Sequence, residues 1–70
     1  MMTISVRGVG PVTIEQLEAR LSAYMNAGAP KPVLEGAPEQ QAAMLHQVAA
    51  RGDTQMKALV ALLLAQNPAT

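Results

Sequence analysis

The sequence predicts a mostly α fold: a small, helical-hairpin-like domain of two or three helices behind an extended N-terminal segment. Three observations carry that expectation. Apolar residues recur at helical spacing over residues 14–25, 45–49 and 56–64. Thr13 and Gln16 spell a capping box at the head of the first stretch. Pro30, Pro32 and Pro38, with Gly28 and Gly36, interrupt the chain where two helices must part. All 70 residues belong to one domain, because neither flank of that connector is large enough to close its own core.

Residues 2–7 alternate, with Ile4 and Val6 on one side and Thr3, Ser5 and Arg7 on the other, the period of a half-buried strand. Gly8, Gly10 and Pro11 interrupt it. No other segment has a convincing strand pattern, and a lone strand leaves its backbone N–H and C=O groups unpaired. Residues 1–12 are therefore expected to form an extended or flexible arm. It has three possible fates: a free tail, pairing with the edge of a symmetry mate or partner, or pairing with a local strand around residues 9–12. The expectation adopted is an arm that gains order only in a complex, through Thr3, Ile4, Ser5, Val6 and Arg7.

The first helix is the best specified element. Thr13 and Gln16 each satisfy a backbone N–H at its start, and Val12 and Leu17 are spaced as a hydrophobic staple, which predicts a helix over 14–26. Glu15 and Glu18 lie near its positive end, while Ile14, Leu17, Leu21 and Met25 form one stripe with Tyr24 at its edge. Asn26 and Gly28 supply the stop. Residues 28–38 form an extended Pro/Gly connector pinned by Val33 and Leu34. Pro38 is suited to a first helical position, and a second helix follows over 39–51, with Leu45, Val48 and Ala49 inward and Met44 near the boundary.

Arg51, Gly52 and Asp53 allow two readings. A cationic last turn, a glycine stop and an acidic N-cap give a third helix over 54–66. The spacing Leu45, Val48, Gly52, Met56, Leu59, Leu63 also stays in phase, which allows one long helix with a small residue at a close contact. The expected arrangement is the break, with three helices. With Leu59 as centre, residues 56–64 spread an apolar arc over roughly 200°, wider than the ~100° that a surface helix needs. Leu64 falls beside Lys57 on the face that should be wet. Met56, Leu59, Val60, Leu63 and Leu64 are thus the expected partner or oligomer interface, with Tyr24 as a possible aromatic anchor at its rim.

Composition supports association. Half the residues are hydrophobic, but alanine makes up 13 of those 35, and the one aromatic is Tyr24, so the core is thin. The chain has no cysteine, so a disulfide cannot compensate, and it has few metal ligands. Association with another protein or with copies of itself is the remaining route. Lack of cysteine also suits a cytoplasmic setting in a bacterial cell or phage-infected host. Neither a signal-peptide pattern nor a transmembrane segment is expected, since the longest apolar run, residues 58–65, falls short of the ~20 residues that span a bilayer. Five Lys or Arg against five Asp or Glu provide no broad positive field, which makes nucleic acid an unfavoured partner.

Chemistry is scarce. Ser5, Ser22, Asp53 and His46 suggest no triad, and His46 is expected to be a solvated helical side chain. Glu15 and Glu18, three apart in a first turn, suit the helix dipole better than acid–base work. Gly8 and Gly10 do not extend into a phosphate-binding glycine pattern. No catalytic, cofactor or metal site is expected, and the chain is not expected to be an enzyme.

Two functions follow. The first is a non-enzymatic interaction module: an adaptor, chaperone, inhibitor or accessory subunit of a bacterial or phage assembly such as a secretion machine. It would bury its apolar helix faces against a partner. In size and alanine/glutamine content the chain resembles small helical subunits and chaperones of secretion machines and phage-encoded regulators. The alternative is a dimeric DNA-binding regulator, because residues 3–7 ahead of a helix resemble the opening of ribbon-helix-helix repressors. The resemblance implies that Thr3, Ser5 and Arg7 read bases while Ile4 and Val6 face a dimer core. The longer junction through Gly8, Val9, Gly10 and Pro11, the proline-rich connector and Glu39 at the second helix start depart from that pattern.

Overall fold

A computed structural model of the chain describes residues 2–66. Six elements follow in order: β1 (Thr3–Val6), β2 (Gly10–Thr13), α1 (Ile14–Ala27), β3 (Leu34–Glu35), α2 (Pro38–Arg51) and α3 (Thr54–Ala65). The strands form one antiparallel sheet in the order β2-β1-β3. The fold is therefore a small α/β domain, mostly helical with three helices as the sequence predicts, to which a three-strand antiparallel sheet is added that the sequence reading does not contain.

The correction lies in the N-terminal arm. β1 is the central strand, with Ile4 opposite Val12, Val6 opposite Gly10 on one side and Val6 opposite Leu34 on the other. The Arg7 N–H donates to the Val33 carbonyl at 2.9 Å, extending the pairing, and Gln40 Nε2 donates to the Thr3 carbonyl at 3.1 Å. Ile4, Val6 and Val12 are buried. The glycines that break the sequence pattern make the hairpin, since Gly8 (φ 78°) and Gly10 (φ 100°) occupy the left-handed region and let the chain reverse. Pro11 fits because β2 is an edge strand, where a missing N–H is tolerated.

α1 begins as the capping box dictates. Gln16 N–H donates to Thr13 Oγ1 at 3.2 Å and Thr13 N–H to Gln16 Oε1 at 2.8 Å. Leu17 and Leu21 are buried, and Ile14 and Met25 pack beside them. Gly28 (φ 71°) ends the helix, its N–H turned back to the Ala23 carbonyl. In the connector Leu34 packs on the core. The Val33 side chain stays 41% exposed, so Val33 pins the connector through its carbonyl and not through its side chain.

α2 starts at Pro38 and lies against α1, α3 and β1. Met44, Leu45 and Val48 are all buried, so Met44 sits in the core and not at its boundary. The helix breaks at Gly52. Asp53 caps α3 by accepting the Met56 N–H at 2.9 Å, and Lys57 Nζ reaches the Ala49 and Gly52 carbonyls, both at 2.7 Å. Gly52 is extended (φ −90°, ψ 169°) and needs no left-handed freedom. What it needs is space: an added Cβ would stand 2.7 Å from Cβ and Cγ of Met56. The small residue at a close contact is thus present, but at a break and not inside one long helix.

Candidate interaction surfaces

Burial fixes how α3 is oriented. Val60 (1% exposed) and Met56 (8%) point into the core, and Leu63 and Leu64 pack beside them. At 100° per residue the inward face therefore centres on Val60, with Leu59 roughly 100° to one side. Leu62 lies roughly 160° round from Val60 and is 58% exposed. Of the residues expected at an interface, Met56 and Val60 are accordingly enclosed by the chain's own core. Leu59, Leu63 and Leu64 are half-buried, and Tyr24 is 36% exposed. Leu62, absent from that set, is the leucine that faces out. An arc centred on Leu59 is out of phase with the inward face, whose centre at Val60 is set by packing against α2.

The outer face of α3 carries Gln55, Ala58, Ala61, Leu62 and Ala65, all exposed, with Gln55 two turns from Leu62 as its polar member. Lys57, the one charged residue between Thr54 and Ala65, lies roughly 140° from Leu62 and is held by the two carbonyls it caps. A solvated helix face normally carries charge, and this one carries none.

The expected strand-pairing arm is already paired. β1 has neighbours on both sides, so Ile4 and Val6 face the chain's own helices and not a dimer core. Ser5 and Arg7 are exposed on the opposite side, and Arg7 Nε donates to Glu35 Oε2 at 3.3 Å. The symmetric strand pairing implied by the repressor resemblance therefore has no open edge on β1.

Two hollows flank the connector. One, of about 240 Å³, opens between α1, α2 and the end of α3 over Leu17, Leu21 and Leu45. The other, of about 410 Å³, lies between the hairpin turn at Val9, the second half of α1 and residues 29–33, with Arg7, Arg20 and Lys31 on its walls. These three cations are far apart in the chain, and no local motif could have joined them.

The remaining charges are structural. Arg51 at the end of α2 reaches Glu15 in the first turn of α1 at 3.1 Å and Glu18, one turn further on, at 3.3 Å. A hydrogen bond from backbone, followed by the Arg51 guanidinium, holds the Glu15 carboxyl below its usual 4.5. His46 is exposed. Among the described residues no three His, Cys, Asp or Glu side chains group to hold a metal ion, and no helix is long and apolar enough to cross a membrane. Compared with known proteins, the chain matches no family model, no curated protein and no solved structure.

Proposed function

We propose that this chain is a non-enzymatic protein-interaction domain that docks the outer face of α3 on an apolar helix face of another protein chain, a second copy included. The observation that carries the reading is Leu62, 58% exposed at the centre of an uncharged face. Ala58, Ala61 and Ala65 around it let a second helix approach closely, and a neutral face meets its own copy without repulsion. The small size, low charge and alanine-rich composition support a role as adaptor, chaperone, inhibitor or accessory subunit of a bacterial or phage assembly in the cytoplasm.

Sedimentation velocity on the purified chain tests the self-docking form of this reading. A single-helix contact falls below standard interface size, so association is expected near a Kd of about 100 µM. Leu62→Glu should weaken it at least about tenfold, the equivalent of about 1.4 kcal/mol, with the circular dichroism spectrum unchanged. A wild type still monomeric at about 1 mM, sedimenting like Leu62→Glu, overturns self-docking.

A further inference from the structure

We propose that the hollow between the hairpin turn, α1 and the connector binds an acidic protein segment, one aliphatic side chain flanked by carboxylates. The chain carries five Lys or Arg and is neutral overall. Arg7 holds Glu35, Arg51 holds Glu15 and Glu18, and Lys57 holds two backbone carbonyls. Arg20 and Lys31 hold no charged group among the described residues; Lys31 Nζ reaches only the Gln66 amide oxygen, at 3.5 Å. Arg20 lines this hollow with Arg7 beside it, and Lys31 stands between it and the neighbouring hollow, on whose wall Gln66 lies. Three of the chain's five cations therefore border one hollow, and two of them, Arg20 and Lys31, have no charged partner among the described residues.

The walls between the cations are aliphatic. Val9 (47% exposed) and Val33 (41%) are two of the most exposed large apolar side chains described, and they face the same hollow with Ala23 and Pro32. A carboxylate-bearing chain with an aliphatic anchor matches both features. A nucleotide matches neither. No aromatic side chain lines the hollow for a base to stack on, and Pro30 and Pro32 remove backbone N–H donors from the wall where a phosphate would need them. At about 410 Å³ the space takes one or two side chains of an extended segment. This surface shares no residue with the outer face of α3, so the two readings stand or fall separately.

The test uses a fluorescein-labelled hexapeptide, Asp-Glu-Leu-Glu-Val-Asp, with fluorescence anisotropy at low salt. Saturable binding is expected, falling at least tenfold in Arg20→Glu/Lys31→Glu and again in Val9→Ser, which leaves every charge in place. Binding should also weaken as salt screens the cations. A peptide with serine for leucine and valine should bind at least tenfold more weakly. Three results overturn the proposal: no binding at millimolar peptide, equal binding by the charge-reversed variant, or a fatty-acid carboxylate displacing the peptide and binding more tightly. Circular dichroism of each variant confirms that the fold is retained. If Arg20→Glu/Lys31→Glu fails to fold, Arg20→Gln and Lys31→Gln singly replace it, and equal binding by both overturns the proposal likewise.

Discussion

α2 and α3 are neighbouring helices of similar length, and their burial runs opposite to their composition. α2 carries glutamines, a histidine and a modest set of apolar residues, yet Met44, Leu45 and Val48 are all buried. α3 is far more hydrophobic and buries only Met56 and Val60. The difference lies in their neighbours. α2 is covered by α1, α3 and the central strand, whereas α3 packs chiefly on α2. A helix at the edge of a small domain has one side to bury, so further leucines on it must face solvent or another chain.

Paired truncations sharpen this contrast. Leu45→Ala in α2 should cost about 3 kcal/mol, the usual penalty for emptying a buried leucine site. Leu62→Ala in α3 should shift stability by less than about 0.5 kcal/mol. Urea unfolding of the two variants below the association range measures both. Similar losses would mean that α3 is covered on its outer side within one chain, and the contrast would fail.

The junction between the two helices gives the next largest effect. Gly52→Ala places a methyl 2.7 Å from the Met56 side chain and 3.2 Å from the Val48 carbonyl. A loss of about 1–3 kcal/mol is expected, from overpacking and not from backbone strain. Gly28→Ala, at φ 71° with nothing within 4 Å of the added methyl, isolates the strain contribution instead. Thermal melts in which Gly52→Ala loses less Tm than Gly28→Ala would show that the α2–α3 junction relaxes around the methyl.

The smallest effect concerns the ion pairs that tie α2 back to α1. The lowered pKa of Glu15 means that its contribution to stability is complete above the unfolded carboxylate range and disappears as pH falls through the lower folded value. Glu15 is solvent-exposed, so the effect is small and screened by salt. Between about pH 7 and about pH 3, the wild-type Tm should fall slightly more than that of Glu15→Gln. Identical slopes would remove Glu15 from the account.

Local chemistry made α1 legible. Thr13, Gln16 and Gly28 act on backbone groups within a few residues of themselves, so its start and stop follow from sequence alone, as do Pro38 at the head of α2 and Asp53 at the head of α3. The sheet was not legible in the same way. β2 turns a single apolar side chain, Val12, inward between Pro11 and Thr13, and β3 is two residues long inside a proline-rich connector. Neither is long enough to display an alternating period.

The alternation of residues 3–7 determined that β1 is a strand with Ile4 and Val6 on its inner side. It could not determine what the strand pairs with, because hydrogen bonds between strands join residues distant in sequence. The same holds for α3, whose apolar surplus is plain in the sequence while the choice of Leu62 over Leu64 as the outward residue comes from the angle at which it meets α2. The gathering of Arg7, Arg20 and Lys31 around one hollow is likewise decided by the fold. Sequence specifies what each residue does to its own backbone turn; position relative to distant residues is set only when the core closes.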